Sequence, residues 1–415
     1  MMIRLEILEA ALLLILLVVA LRSNFLISMP ILIILAVLVF IFLGLSFRQY
    51  LWQKEFFAGR FLTILVTLAI LYLFLLSSHI DRRQNQIDYS LHDGAVLTEV
   101  ATEAILIGKN PYEINYRNAF SNVYNKPIEV VYDHYMYSPM TFLVNVPFKL
   151  ILGSFFAFYD FRITLVIFLF LSGLIGLLMV EKKILFLTIF LLNPLFLPLT
   201  FYGANEVLIL FFIIACLVAI FSKKFSIATV MLACATGTKL LALPFVPLYF
   251  LYLFLLSSPS KKTVQPNSSA GRLSIVSHLL LFILVNLIIY LPFAIWSFSD
   301  LIEDVVLFHL RGGEGLHYIA GFLGVPQLLT NLGFLSVYST FPFYGLQLVA
   351  ALAFLYFAYR ILQKSLNLIT LNILFVFFLS VILVFSRIIQ ISYIAYISQF
   401  LLLASFQGQP YISKK

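Results

Sequence analysis

The amino-acid sequence predicts an all-α, polytopic transmembrane protein with about 11–13 spans. Of its 415 residues, 63% are hydrophobic and 11% are charged, and the mean hydropathy is +1.07. A soluble fold of this length could not bury so much apolar surface. The apolar residues also form runs of roughly 20, the length of a helix that crosses the core of a bilayer. We therefore expect the lipid bilayer to surround most of the chain.

The apolar runs define the expected spans in chain order. They comprise residues 5–22, 25–46, 61–78, 162–180, 184–200, 205–222, 226–257, 273–295, 341–360, 367–386 and 388–406. The run 226–257 is long enough for two shorter helices, which we expect to break near Lys239. Segments 138–157 and 318–335 are shorter or interrupted by proline, and we expect them to be re-entrant or interfacial.

Loops rich in Lys and Arg indicate the orientation, because short basic loops favour the cytoplasm. All of these basic loops can lie in the cytoplasm if segments 138–157 and 318–335 do not cross the membrane. Two polar loops, 79–137 and 297–318, then lie outside and hold 12 of the 18 acidic residues and five of the six histidines. This orientation divides the chain into two N-terminal helices with a basic loop (1–60), a transmembrane module (61–406) and a cytoplasmic tail (407–415). The short loops suit the plasma membrane of a bacterium or archaeon.

Several classes of function are excluded by charge and by residue type. The net charge is +8, but the basic residues are scattered singly and in pairs, so there is no basic face for a nucleic acid. Cys216 and Cys234 fall inside apolar runs, where packing is their expected role. We find no spacing typical of a metal site and expect neither a metal nor another cofactor.

The loop 79–137 is the most polar part of the chain and contains an expected amphipathic helix. Ser90 or Asp93 can cap its start, apolar residues recur at helical spacing from 96 to 105, and Gly108 followed by Pro111 ends it. We expect this helix to lie along the membrane interface. At its N-terminus Asp93 would be kept ionised by the helix dipole, as a general base requires.

Several motifs share their order with a known family. A span is followed by an external Asp, a helix ending in GKNPY and the motif YSPMTFLVNVPF at 137–148. Later come YGANEVLILFFIIACL at 202–217, ATGTKLLALPFVPLYFL at 235–251 and SRIIQISYIAYISQFLLL at 386–403. This arrangement, from residue 61 to about 406, resembles the GT-C superfamily of polyprenyl-phosphate-sugar-dependent glycosyltransferases.

The resemblance implies a donor that links one hexose, commonly mannose, to a polyprenyl phosphate. The acceptor would be a glycan, a glycolipid or a protein hydroxyl. The resemblance also implies that the first external loop supplies the general base, which carries over to Asp93. Because no second acid adjoins Asp93, Asp88 stays open as the alternative base.

Loss of a lipid phosphate requires a cation where the phosphate departs. Arg311, Lys239 and Arg387 are the candidates, with His309 as a further donor. Each has a simpler explanation. Arg311 could pair with Glu314 on an exposed loop, and lone basic residues near helix ends commonly extend to the lipid headgroups.

The remaining candidates would bind substrate. They are His92, Tyr112, Tyr137, Asn205, Glu206 and His317. Asn205 and Glu206 could equally cap the helix that follows them, and the tyrosines could belong to an interfacial aromatic belt. His92 could be an ordinary exposed histidine, and Asp93 itself could be only a helix cap.

Two other classes of function compete with a glycosyltransferase. A transporter or flippase of a lipid-linked sugar or small solute would carry inverted repeats and ionisable residues at mid-membrane, and we find neither in the sequence. A non-catalytic assembly subunit would not need acids and histidines concentrated on one side of the membrane. The sequence therefore favours a membrane hexosyltransferase.

Overall fold

The computed structural model describes residues 91–121, 133–156, 159–193, 195–257, 275–311, 319–321 and 323–408. Several expectations fall outside these residues: the segment 1–60, the spans 5–22, 25–46 and 61–78, Asp88, His317 and most of the tail 407–415.

The described chain is almost entirely helical, as the sequence predicts. Its first helices are α1 (Asp93–Leu106), α2 (Arg117–Ser121), α3 (Met140–Leu143), α4 (Asn145–Phe156), α5 (Phe161–Gly176), α6 (Lys183–Leu191), α7 (Leu197–Tyr202) and α8 (Glu206–Phe221). They are followed by α9 (Phe225–Thr238), a 3₁₀ turn (Leu240–Ala242), α10 (Phe245–Ser257), α11 (Ile275–Trp296), α12 (Phe298–Ile302), a π-helical turn (Glu303–Leu307) and α13 (Phe308–Leu310). The last elements are β1 (Ala320–Gly321), α14 (Val325–Asn331), α15 (Phe343–Lys364), α16 (Leu368–Val384), β2 (Ile388–Ile389) and α17 (Ile391–Phe406).

Three helices in the described residues are long and apolar enough to cross a membrane. They are Leu240–Ser257, which joins the 3₁₀ turn to α10, and the 22-residue helices α11 and α15. Shorter apolar helices include α5, α8, α9, α16 and α17. The all-α class is confirmed, whereas the expected 11–13 spans stay a prediction.

Helix breaks agree with the sequence at one position and differ at another. The expected break near Lys239 is confirmed, because α9 ends at Thr238 and Lys239 has an extended backbone. The span expected at 184–200 is not one continuous helix, since α6 ends at Leu191 and α7 starts only at Leu197. Between them the Asn193 side chain accepts a hydrogen bond from the Leu195 backbone at 3.0 Å. This side-chain bond competes with the helical ladder and turns the chain.

The core lies around α8, which packs against α5 and α9. Apart from Glu206 at its start, α8 is wholly apolar, and most of its residues are buried. Helices α11 and α15 lie further out and expose much of their apolar surface, as expected of helices in contact with lipid. Helix α15 packs on α10 and α16, and these three helices surround the cavity described below.

A short parallel pairing fixes the chain near residue 387. Strand β1 pairs with β2, so that Gly321 lies opposite Ile389. Gly321 has a φ of +124°, and a Cβ there would lie 2.5 Å from the Ile389 carbonyl oxygen. Only glycine fits so close a contact. The pairing holds residues 386–390 against the cavity.

Candidate functional site

A cavity of about 660 Å³ joins polar and apolar residues. Its polar lining comprises Asp93, Tyr137, Lys239, His309, Arg387, Gln390 and Tyr393. Its apolar lining includes Leu348, Ala351, Leu352, Leu355, Phe378 and Leu379. Along α15 the lining begins at Phe343, whose ring lies 5.4 Å from the Arg387 guanidinium, and reaches Leu355, about 18 Å away at 1.5 Å per residue. The cavity therefore leads from charged groups into an apolar channel.

Asp93 is the first residue of α1 and is not its cap. The cap is His92, whose Nδ1 accepts a hydrogen bond from the Gly94 backbone at 2.9 Å, so the expected cap Asp93 is wrong. Ser90, the other expected cap, lies outside the described residues. The Gly94 N–H also donates to Asp93 Oδ1 at 2.6 Å. About a third of the Asp93 side chain is exposed, on the cavity wall. The carboxylate is thus oriented by its own helix terminus and open to a ligand.

His92 Nδ1 and Asp93 Oδ1 lie 2.8 Å apart. In the neutral imidazole Nδ1 accepts from the Gly94 N–H, and once protonated it donates to the Asp93 carboxylate instead, which makes the two residues a charged pair. Burial alone would raise the pKa of Asp93, but the imidazole of His92 and the Gly94 N–H lower that pKa below its ordinary value. Burial would lower the pKa of His92, but the Asp93 carboxylate raises it. Asp93 is therefore ionised at neutral pH.

The turn between α7 and α8 packs against the start of α1. Gly203 has a φ of +99°, and a Cβ there would lie 2.7 Å from the Ala95 Cβ. The His92 backbone N–H donates to the Tyr202 carbonyl at 2.7 Å, and the Tyr202 ring meets the His92 ring edge-on. This contact brings the head of α8 close to Asp93.

Lys239 lines the cavity and contacts four other side chains. Its Nζ donates to Glu206 Oε1 at 2.8 Å and to Asn205 Oδ1 at 3.1 Å. The same Nζ lies 5.3 Å and 5.2 Å from the ring centroids of Tyr137 and Tyr393, within the range of cation–π contacts. Lys239 is therefore held inside the protein and does not extend to the headgroups. Its charge is balanced by Glu206.

Asn205 and Glu206 contact the cavity only indirectly, through the hydrogen bonds that they accept from Lys239. Asn205 occupies the cap position of α8 but makes no capping hydrogen bond with its side chain. Glu206 accepts a second hydrogen bond, from Ser392 Oγ at 3.1 Å, which ties α8 to α17. Neither residue lines the cavity.

Arg387 is a buried cation on the cavity wall. Its Nη1 donates to the Ser339 carbonyl and its Nη2 to the Phe341 carbonyl, both at 2.6 Å. Only 5% of the residue is exposed, and within the described residues no carboxylate forms an ion pair with it. Burial lowers its pKa, yet an arginine stays protonated in proteins. Arg387 thus presents positive charge that no described carboxylate offsets.

Arg311 lies away from this site. Its guanidinium donates to both carboxylate oxygens of Glu303, at 3.1 and 3.3 Å, and about half of the side chain is exposed. Arg311 does not line the cavity, and its described partner is Glu303. Glu314, the partner considered from sequence, falls outside the described residues.

His309 lines the cavity as a neutral side chain. Its Nε2 lies 3.0 Å from the Met136 carbonyl oxygen, which can only accept, so this nitrogen carries the proton. Burial lowers the pKa of His309, and so does the charge of Lys239. His309 therefore adds no positive charge for a phosphate.

The predicted tyrosines differ in their surroundings. Tyr137 lines the cavity, whereas Tyr112 is buried among aromatic rings and donates from its hydroxyl to the Tyr137 carbonyl at 2.9 Å. Tyr112 therefore supports Tyr137 from behind and does not itself meet a ligand in the cavity.

Sequence reasoning missed several residues of the site. Tyr393, Ser392 and Gln390 stand in the motif SRIIQISYIAY, but nothing in that apolar stretch distinguishes them from other polar residues in a span. Asp304 was missed among four neighbouring external acids. It is 3% exposed and binds the loop that carries Tyr137.

Across the ranges that the structure describes, no three His, Cys, Asp or Glu side chains approach closely enough to hold a metal ion. No family model matches the chain, and neither a curated protein nor a solved structure is similar enough to count as a match.

Proposed function

We propose that the chain is an integral membrane glycosyltransferase of the GT-C type. It would move a hexose, with mannose as the first to test, from a polyprenyl-phosphate donor to an acceptor hydroxyl. The proposal includes a multi-pass topology of about 11–13 spans and an active site on the external face.

The observation that carries the proposal is the composition of one cavity. It is lined by the charged residues Asp93, Lys239 and Arg387 and by apolar residues of α15 and α16. A polyprenyl-phosphate sugar has matching parts: a polar sugar, an anionic phosphate and a long apolar chain. A small polar solute would not require the apolar channel.

Asp93 is the proposed general base. A base in the transfer must be ionised and open to the acceptor, and Asp93 meets both requirements because its pKa is lowered and its carboxylate lines the cavity. Asp88, the alternative base, lies outside the described residues, so the choice of Asp93 rests on its own geometry.

Arg387 is the proposed phosphate-binding residue. Lys239 is already paired with Glu206 and Arg311 with Glu303, whereas no described carboxylate offsets the charge of Arg387. An unbalanced buried charge is costly, and a bound phosphate would relieve that cost. Lys239 would position Tyr137 and Tyr393 and add a second, partly neutralised charge.

The proposed reaction is a single displacement with inversion. The acceptor hydroxyl gives its proton to the Asp93 carboxylate while its oxygen forms a bond to the anomeric carbon. The bond from that carbon to the phosphate oxygen breaks, and polyprenyl phosphate leaves with the electron pair. Arg387 stabilises the charge that develops on the leaving phosphate.

The test compares three proteins in lipid vesicles: wild type, Asp93→Asn and Glu103→Gln. Glu103 lies on the same helix but pairs with Lys149 at the surface, so it serves as the matched control. Each protein receives polyprenyl-phosphate [¹⁴C]mannose and membrane extract as the acceptor source. Label in a new product and release of polyprenyl phosphate are measured, together with donor binding.

We expect the wild type and the control to transfer label at the same rate. Asp93→Asn should lose about 10²–10⁴-fold in rate while it still binds the donor. Transfer at the wild-type rate by Asp93→Asn would reject Asp93 as the base. If the wild type transfers no sugar from any polyprenyl-phosphate hexose but moves the donor between leaflets, the transporter alternative replaces this proposal.

A further inference from the structure

The segment between α11 and β1 contains a π-helical turn, Glu303–Leu307. Such turns are rare and commonly occur at functional sites. Within it Asp304 is buried, whereas the neighbouring Glu303 is partly exposed and pairs with Arg311. The two adjacent acids of this turn thus differ in their surroundings: Asp304 faces inward and Glu303 faces the surface.

Asp304 binds two consecutive residues of the loop before Tyr137. Its Oδ1 lies 2.5 Å from His134 Nδ1, and its Oδ2 accepts a hydrogen bond from the Tyr135 backbone N–H at 2.9 Å. Five residues further on, His309 Nε2 donates to the Met136 carbonyl at 3.0 Å. One short segment thus holds three successive residues, 134–136, of a loop about 170 residues earlier in the chain.

The loop held in this way leads directly into the cavity. Tyr137 follows Met136, and its ring lies 5.3 Å from the Lys239 ammonium. A Cβ on Gly94 would lie 2.4 Å from the Tyr137 hydroxyl, so this hydroxyl packs against the residue next to Asp93. A shift of residues 134–136 would move Tyr137 relative to both Lys239 and Asp93.

We propose that Asp304 is a positioning residue of the site: by binding His134 and the Tyr135 N–H it fixes Tyr137 and His309 against the cavity. This inference rests on the proposed function, since it assigns Asp304 a role in that transfer. Asp304 does not line the cavity and touches no reacting atom. Asp304 acts by holding the residues of the site in place. A displacement of about 1 Å there can cost roughly 100-fold in rate.

The experiment compares Asp304→Ala, Asp304→Asn and the matched control Glu303→Gln in the vesicle assay. Asparagine can still accept from the Tyr135 N–H and so keeps half of the contact. Three quantities are measured for each variant: kcat per folded molecule, KM for the donor, and hydrogen exchange of the Tyr135 and Met136 amides.

We expect Asp304→Ala to lower kcat roughly 10- to 100-fold, with donor KM within about twofold of wild type. Amide exchange at 135–136 should rise in the same variant. Asp304→Asn should have a kcat much closer to that of the wild type than Asp304→Ala has. Glu303→Gln should match the wild type in kcat, donor KM and amide exchange. His134→Ala, at a less buried position, is the second variant if Asp304→Ala does not fold, and it should change kcat and exchange in the same direction.

A purely structural role would give a different result. Asp304→Ala, or His134→Ala in its place, would then lower the folded fraction or the thermal stability while each folded molecule kept the wild-type kcat, and the inference would be overturned. Unchanged amide exchange at 135–136 would also overturn it. Failure of the proposed function is distinguishable, because the wild type itself would then transfer no sugar.

Discussion

Glu206 and Lys239 form an ion pair of 2.8 Å, and their side chains are 3% and 12% exposed. The two residues lie at the head of α8 and just after the end of α9. Two charges so far from water are tolerated because each has further partners, Ser392 for the carboxylate and Asn205 for the ammonium. The pair joins the cavity wall to the core of the helical bundle.

Replacing one residue of this pair should therefore lower the free energy of unfolding more than replacing both. Lys239→Met leaves Glu206 buried without its counter-ion, and we expect a loss of about 3–5 kcal/mol in the free energy of unfolding. The double variant Glu206→Gln/Lys239→Met should recover part of this loss. Reversible unfolding in detergent measures both. Lys149→Met, which breaks a surface pair with Glu103, is the control and should cost less than about 1 kcal/mol. Equal costs for the two lysines would contradict the prediction.

Arg387→Gln should weaken donor binding more than it changes any other property. A hydrogen bond to a charged group contributes about 1.5–3 kcal/mol, so we expect the donor Kd to rise roughly 10- to 150-fold. Binding of the unphosphorylated polyprenol should not change, since no phosphate is involved. Calorimetry in vesicles measures both constants. Arg360→Gln is the control, because Arg360 lies on the exposed side of α15. An unchanged donor Kd in Arg387→Gln would remove this residue from the phosphate site.

His92→Asn should change how the transfer rate depends on pH. Asparagine is a good helix cap and can accept from the Gly94 N–H, but it carries no charge. In the wild type the pKa of Asp93 is held below its ordinary value of 3.8, so the base stays ionised at and above that pH. In His92→Asn no imidazolium opposes the effect of burial, so the pKa of Asp93 rises.

The decline of rate on acidification should consequently move to higher pH in His92→Asn. The measurement is the transfer rate from pH 7 downward for both proteins, with the folded fraction recorded at each pH. Superimposable profiles would show that His92 does not control the ionisation of Asp93.

Ala351→Trp should obstruct the apolar part of the cavity. Ala351 lies on α15 between Phe343, whose ring contacts Arg387, and Leu355, and an indole there would fill the channel. We expect a donor with a long polyprenyl chain to bind at least tenfold more weakly, the equivalent of about 1.4 kcal/mol. A donor with a chain of one or two isoprene units should bind as it does to the wild type. Leu284→Trp on the exposed face of α11 is the control. Equal loss for long and short chains would contradict the assignment of this channel to the lipid.

The local features of the fold were readable from the sequence because they depend on neighbouring residues. Nearby residues signal the helix at 93–106, its end before Gly108, which has a positive φ, and the break at Lys239. The break after Leu191 was missed, since the apolar run 184–200 masks the turn that the Asn193 side chain makes.

The contacts of the site could be predicted only in part. Asp93, Lys239 and Arg387 were named from residue type and order, and all three line one cavity. Their partners were not predictable, because pairing is a tertiary property. Nothing in the sequence indicated that Glu206 would neutralise Lys239 or that Arg311 would turn to Glu303. Nor did it indicate that Asp304, unlike Asp300 and Glu303, would be buried.

The π-helical turn at Glu303–Leu307 determines where the chain in this region can change its length. One turn there holds an additional residue compared with an α-helix. Deleting one residue of the turn would restore regular α-helical hydrogen bonds and leave His309 and Leu310 in nearly the same register. A deletion in the regular helix α12 before it would instead rotate both residues by about 100° and take them off the cavity wall. Related chains with the same site should therefore accept a single-residue deletion within 303–307, outside Asp304, more readily than a deletion in α12.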